Sequence, residues 1–100
     1  MSIKKIAAGA AVALTLAGGV SAAADIVAKS GGTWDYGYSL GNAHSNYIHP
    51  QRYHGSEVVD RNNGNNFQRV NARAGAWSKA SITLPLIGGQ ASLYYNTSGY

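Results

Sequence analysis

Three histidines at regular intervals are the residues of this chain whose types first suggest chemistry. His44, His49 and His54 follow one another at steps of five residues, and imidazole is a common ligand of zinc and other divalent metals. Zinc sites recur at characteristic spacings and often include cysteine, whereas this spacing matches none of those patterns and the chain contains no cysteine. We therefore interpret the three as polar loop histidines and expect no metal and no cofactor.

The residue types of a hydrolase are present, but not in a catalytic pattern. Serine, histidine and aspartate all occur, so a triad can be composed from many combinations. A Gly-x-Ser-x-Gly pattern occurs at residues 37–41, but no helical segment follows it as a nucleophile elbow requires, and no pair of carboxylates is set apart by its surroundings. A small domain also has little room for a substrate pocket beside its hydrophobic core. We therefore expect that the protein is not an enzyme.

A tryptophan between two cations is the more informative constellation. Arg73 lies four residues before Trp77 and Lys79 two residues after it, so all three share one face if the segment is a continuous strand. Indole can stack on a ligand while arginine and lysine bind its anionic groups, and arginine suits phosphate especially well. Most other aromatic side chains are expected to pack in the core, although some stay candidate contacts. The candidate ligand-binding residues are Arg73, Trp77, Lys79, Trp34, Tyr47 and Tyr94.

β-Strands must position these side chains, because no segment after residue 24 has a sustained helical period. Alternation predicts strands over residues 33–38, 56–60 and 91–96. A longer alternating stretch, residues 68–82, exceeds the usual strand length and is expected to break or bulge at Gly75. These segments predict five or six short strands.

Two segments connect the predicted strands. Residues 61–66 are rich in Asn and Gly, and they are predicted to form the turn of a hairpin whose second strand starts near Phe67. Residues 41–54 are the least regular segment and are interpreted as a long connecting loop. Together the strands and turns predict an all-β fold, either a small sandwich or a small barrel.

The start of the chain has the pattern of a secretory signal peptide. Lys4 and Lys5 precede an uncharged run, residues 6–20, and small residues lead up to Asp25. We predict cleavage between Ala24 and Asp25, or one or two residues earlier, so that residues 1–24 are a signal peptide and 25–100 form one domain. A membrane anchor is the alternative, but a spanning helix needs about 20 apolar residues. The product is therefore expected to be secreted and extracellular.

The predicted mature chain is only mildly basic. Lys4 and Lys5 leave with the signal peptide, so six of the eight Lys and Arg remain against four Asp and Glu, a formal charge of +2. No dense basic stripe occurs, and nucleic acid is therefore not an expected partner. Small secreted domains usually depend on disulfides, which this chain cannot form. Aromatic packing is expected to stabilise it instead.

Five sequence blocks in a fixed order make the chain resemble a known family. The last two are the most specific: Trp77 in the pattern Gly-x-Trp-x-Lys-Ala-Ser, followed by a nearly terminal Tyr94-Tyr95 pair. On these residues the chain is similar to the lactococcin 972 family of bacteriocins, over nearly all of the mature region. The blocks span residues 31–37, 45–50, 54–58, 73–81 and 91–96.

The resemblance implies a fold and a function. It implies a β-sandwich of two three-stranded antiparallel sheets, and a secreted antibacterial protein that acts as a homodimer. Such a protein binds the cell-wall precursor lipid II and blocks septum formation in related Gram-positive bacteria without forming pores. An immunity protein and an ABC transporter in the producer are also implied. The alternative is an exported β domain that binds a surface partner or self-associates without killing.

Overall fold

The computed structural model describes residues 10–16 and 23–100 of the chain. All regular elements in these residues are β-strands, and each pairs antiparallel with its neighbours. No helix capable of crossing a membrane occurs in this part of the chain. The strands are β1 (Ala10–Leu16), β2 (Ala23–Lys29), β3 (Gly32–Ser39), β4 (Asn42–Ile48), β5 (His54–Asp60), β6 (Asn63–Ala72), β7 (Trp77–Thr83) and β8 (Gly89–Asn96).

The strands form two sheets that face each other across one core. The first sheet has the order β1-β8-β5-β6, and the second sheet has the order β2-β3-β4-β7. Buried side chains of both sheets meet between them, including Val58 and Leu93 from the first and Trp34 and Tyr47 from the second. This arrangement confirms the predicted all-β sandwich.

Each sheet has four strands rather than the expected three, and the additional strands are the two at the N-terminus. Without β1 and β2 the sheets reduce to β8-β5-β6 and β3-β4-β7. Strand β1 falls inside the predicted signal peptide, and β2 runs across the predicted cleavage bond between Ala24 and Asp25. Other residues of the expected signal peptide, 1–9 and 17–22, lie outside the described residues. Cleavage stays a prediction.

Residues 41–54 are not one long loop, and that interpretation is wrong. Strand β4 lies within this segment and pairs with both β3 and β7. Its inward positions include Ser45, a polar residue, which weakens the hydrophobic alternation that marks a strand. Ser45 is nevertheless fully buried, because its Oγ accepts a hydrogen bond from Trp34 Nε1 at 2.9 Å and donates one to the Tyr94 carbonyl at 2.6 Å.

The long alternating stretch breaks at Gly75, as predicted. Gly75 has φ of 82°, a left-handed conformation that glycine adopts without steric cost. Strand β6 therefore ends at Ala72 in the first sheet and β7 begins at Trp77 in the second sheet. The predicted hairpin is present, since β5 pairs with β6 and Val59 lies opposite Phe67, but its turn is shorter than the predicted residues 61–66 because β6 already begins at Asn63.

An aromatic cluster fills the space between the sheets. Tyr95 of the first sheet stacks on Tyr47 with ring centroids 4.6 Å apart and lies tilted against Trp34 at 4.9 Å. The polar atoms of these rings are satisfied: the Tyr47 hydroxyl donates to the Lys29 carbonyl at 2.8 Å, and the Tyr95 hydroxyl lies 2.7 Å from Ser30 Oγ. Burying aromatic rings with their polar groups paired is how a cysteine-free domain gains a specific core.

The close approach of β3 and β4 depends on a glycine at the start of β3. A Cβ atom at Gly32 would overlap the Ile48 carbonyl oxygen and the Tyr47 hydroxyl. The Ile48 carbonyl belongs to backbone that β3 and β7 both hold, so it cannot move aside cheaply. Gly32 is therefore required by packing.

We predict that Gly32→Ala destabilises the fold by about 2–3 kcal/mol, because the added methyl group overpacks the core edge. Gly64→Ala is the matched control, since a Cβ there meets no atom within 4 Å. Its effect should stay within about 0.5 kcal/mol. Thermal and chemical denaturation of both variants measures the difference, and equal stabilities would contradict the role assigned to Gly32.

Candidate functional site

Two of the six candidate ligand-binding residues belong to the core. Trp34 and Tyr47 are 1% and 0% exposed, and both lie between the sheets. Burial removes them from any surface that a ligand could contact in this conformation. They were selected for their aromatic type, and aromatic type alone does not distinguish a core residue from a surface residue.

Tyr94 lies on the outer face of the first sheet. Its neighbours in β8, Leu93 and Tyr95, point into the core, so alternation turns the half-buried Tyr94 outward. Tyr94 lies opposite Glu57 of β5, and Glu57 accepts a hydrogen bond from Arg69 at 2.8 Å. The whole sandwich therefore separates Tyr94 from the second sheet, where Trp77 lies.

The remaining three candidates are exposed to solvent, two of them in β7 and one in the turn before it. Trp77 and Lys79 are exposed on the outer face of β7, where outward side chains alternate with buried ones. Arg73 is exposed in the turn between β6 and β7, and its carbonyl accepts a hydrogen bond from Ala76 at 3.1 Å. Because Gly75 breaks the strand, Arg73 does not share a strand face with Trp77. It lies instead in the turn that leads from β6 of the first sheet into β7.

We define the Trp77 face as the outward side chains of the second sheet around Trp77: Thr33, Asp35, His44, Asn46, Ile48, Trp77, Lys79 and Ser81. Strand register arranges them in rows across β3, β4 and β7. Thr33, Ile48 and Trp77 form one row, and Asp35, Asn46 and Lys79 form the next. The sheet therefore brings together residues that are far apart in the sequence.

The charged groups of the Trp77 face nearly balance. His44 Nε2 lies 3.0 Å from Asp35 Oδ1, a diagonal pair between neighbouring strands. Gly37 is the residue directly opposite His44, and its lack of a side chain leaves the imidazole free to lean toward the carboxylate. Lys79 has no hydrogen bond or ion pair from its side chain to the described residues. It is thus available as a donor to a ligand.

Sequence reasoning missed the contribution of Asp35, His44 and Asn46. His44 and Asn46 were assigned to a loop, so their common orientation in β4 was not apparent. A sequence signal existed in residues 42–48, where polar side chains alternate with the side chains that the structure buries, Ala43, Ser45 and Tyr47. Because Ser45 is itself polar, it interrupts the hydrophobic alternation and obscures the strand.

The three histidines do not act together. His49 Nδ1 accepts hydrogen bonds from the backbone of Gln51 and Arg52, at 3.0 and 3.1 Å. The ring nitrogens of His54 lie 2.8 and 2.7 Å from the carbonyls of Arg52 and Ala76. His44 pairs with Asp35 instead, on the outer face. In the described residues each histidine therefore has partners of its own.

Comparison with known proteins identifies the class. The model of a bacteriocin family, Lactococcin_972, matches residues 30–95, which include all of β3 to β7 and nearly all of β8. The chain therefore belongs to the lactococcin 972 family of bacteriocins. This membership supports a bacteriocin-like function, an extracellular role and an interaction with target cells in general.

The solved structure of lactococcin 972 is similar to this chain. The two sequences are 39% identical, and the two structures superpose with a TM-score of 0.58. The similarity covers 66% of this chain but 97% of that one. The family domain therefore corresponds to about two thirds of this chain, and the family match begins after β2. No curated protein sequence matches the chain.

Burial of Tyr47 predicts a loss of stability at alkaline pH. Desolvation, aided by the nearby Tyr95, raises the pKa of Tyr47 from 10.0 to about 12. The unfolded chain loses this proton near pH 10 while the folded chain keeps it, so the contribution of Tyr47 to stability is constant below pH 10 and falls as the pH rises to 12. We expect a loss of about 2 kcal/mol over that window from this group.

Denaturant unfolding followed by fluorescence between pH 8 and about pH 12 measures this loss. Tyr47→Phe should be less stable at pH 8, because the bond to the Lys29 carbonyl is lost, but its alkaline slope should be shallower. Tyr53→Phe, at an exposed position, is the control and should retain the steep slope of the unmodified protein. Identical slopes in all three proteins would contradict the prediction.

Proposed function

We propose that this protein is a secreted bacteriocin whose domain, residues 25–100, binds lipid II. Binding would block septum formation and cell-wall synthesis in related Gram-positive bacteria without forming pores, and it requires no catalytic step. Family membership supports the antibacterial role, and the predicted signal peptide supports export. Lipid II is displayed on the outer face of the target membrane, where an exported protein meets it.

The exposed indole of Trp77 is the observation that carries the assignment of the binding site. Trp77 is 39% exposed, whereas Trp34 is buried in the core. More than a third of the Trp77 surface is open to solvent, and a flat aromatic ring beside hydrogen-bonding groups suits a ligand with both apolar and polar faces. Sugar rings have this character, and lipid II carries them.

The chemistry of the Trp77 face fits the parts of lipid II in different ways. Trp77 is proposed to stack on a sugar ring, and the row of Asp35 and Asn46 offers carboxylate and amide partners for its hydroxyl and amide groups. Lys79 and Arg73 are proposed to bind the pyrophosphate. Trp34, Tyr47 and Tyr94 are not part of this proposal, because they are buried or lie on the opposite sheet.

Three further components complete the proposal. The active form is proposed to be a homodimer, and an immunity protein and an ABC transporter are proposed to protect or serve the producing cell. These follow from family membership, and the genes adjacent to this one provide a direct check. A neighbouring gene pair for a multi-span membrane protein and an ABC transporter would support them.

We expect Trp77→Ala/Lys79→Ala to lower the affinity for lipid II at least tenfold, about 1.4 kcal/mol. Calorimetry with lipid II in zwitterionic detergent micelles measures this affinity without a bilayer. Phe67→Ala/Arg61→Ala is the matched control, since it removes one exposed aromatic and one exposed cation outside the Trp77 face. Unchanged affinity in a folded Trp77 variant, judged by far-UV circular dichroism, would contradict the site.

Killing is tested separately from binding. Purified mature protein spotted on lawns of related Gram-positive bacteria should inhibit growth and produce septum defects without membrane depolarisation. Depolarisation would contradict the non-pore mechanism. Binding of a cell-surface partner with no inhibition over a broad strain panel would instead support the alternative, an exported domain that does not kill.

A further inference from the structure

Three exposed aliphatic side chains cluster at one end of the sandwich. Leu40 lies in the connection between β3 and β4, and Leu86 and Ile87 lie in the loop between β7 and β8. Their exposed fractions are 64%, 50% and 75%. We call this group the aliphatic tip. Isolated exposed aliphatic residues are common, but three on adjacent loops indicate an interaction surface.

The two loops of the tip are joined to each other. The Leu84 amide donates a hydrogen bond to the Gly41 carbonyl at 2.9 Å, which ties the β7–β8 loop to the β3–β4 turn. Leu86 Cδ2 lies 3.2 Å from the position of a Cβ at Gly41, so its side chain packs directly over that turn. The two loops that carry the aliphatic tip are thus held together.

The charge around the tip favours an anionic partner. The adjacent β5–β6 turn carries Arg61, which is exposed and whose amide donates to the Gln90 carbonyl at 2.9 Å. The neighbouring carboxylate, Asp60, is largely buried, and its oxygens accept hydrogen bonds from the Asn62 amide and from Asn66 Nδ2. The tip therefore presents aliphatic groups with an exposed cation beside them and no exposed carboxylate in these three loops.

Part of the tip backbone is already hydrogen-bonded or has no donor to satisfy. The Leu84 amide and the Gly41 carbonyl satisfy each other, and Pro85 has no amide hydrogen. Burial of unpaired backbone groups in lipid is costly, so loops with paired or absent donors enter the interface more easily. We propose that the aliphatic tip inserts into the interfacial layer of an anionic lipid bilayer, with Arg61 at the headgroups.

A second protein molecule is a less suitable occupant. A stable protein interface buries about 800 Å² on each partner, usually on a broad surface, whereas the tip consists of three side chains on projecting loops. Small aliphatic projections with a flanking cation are instead typical of peripheral membrane contacts, where apolar burial and attraction to anionic lipids add. This inference concerns the bilayer and does not depend on lipid II binding at the Trp77 face.

Vesicle co-sedimentation of the processed product from culture medium tests the proposal. The probe is vesicles of phosphatidylglycerol and phosphatidylcholine without lipid II, with phosphatidylcholine alone as the neutral comparison. Ile87→Ser should lower the partition coefficient about fivefold. Ile26→Ser is the matched control, because Ile26 is the same residue type, is 71% exposed and lies in β2, away from the tip. It should change partitioning by less than about twofold.

Arg61→Gln should weaken binding to vesicles with phosphatidylglycerol about fivefold and leave binding to phosphatidylcholine unchanged. Equal effects of Ile87→Ser and Ile26→Ser, or unchanged binding of Ile87→Ser, would overturn the proposal. A shift of Ile87→Ser from dimer to monomer on gel filtration, with vesicle binding intact, would assign the tip to self-association and also overturn it. Trp77→Ala/Lys79→Ala should bind these vesicles normally, which separates this result from the lipid II test.

Discussion

The packing of Tyr95 against Trp34 and Tyr47 is the interaction on which the rest of this structure depends. These rings join the two sheets, and no disulfide is available to do so. Each ring also carries a polar atom that burial would leave costly without a partner. Ser45, Ser30 and the Lys29 carbonyl supply those partners, and no described buried side-chain nitrogen or oxygen lacks one. Small hydroxyl residues are thus as necessary to the core as the aromatic rings.

The same constraint determines which residues remain free for function. Ser56 and Ser78, from opposite sheets, lie 2.8 Å apart through their Oγ atoms, so small side chains hold the sheets close where no ring is present. Because the two sheets pack closely in this way, the inward-pointing side chains of the central strands are buried in the core. Function must then use outward side chains, the strand ends and the loops. Trp77 is exposed because it occupies an outward position of β7, whereas Trp34 occupies an inward position of β3.

Local patterns in the sequence predicted the class of fold and several of its elements. Three features depend on residues close together in the chain and can therefore be predicted from the sequence alone. They are the alternation of β3, the hairpin of β5 and β6 and the break at Gly75. Assignment of β6 and β7 to different sheets depends on long-range packing, and the strand register of the second sheet does so as well. For this reason Asp35 and His44 could not be paired from sequence, although each residue type is conspicuous. Strand β4 was missed because its inward Ser45 is stabilised by contacts with residues distant in the chain.

The two proposed surfaces lie at opposite ends of β7, and this relates their orientations. The loops of the aliphatic tip connect β3 to β4 and β7 to β8 at one end, and Trp77 begins β7 at the other. At about 3.3 Å per residue, β7 spans about 20 Å between these ends. A bilayer in contact with the tip would therefore leave the Trp77 face standing outward from the membrane surface. The outer surface of the opposite sheet differs, because Arg69 there is paired with Glu57 and lies over the ring of Tyr100, whereas Lys79 on the Trp77 face has no such partner in the described residues.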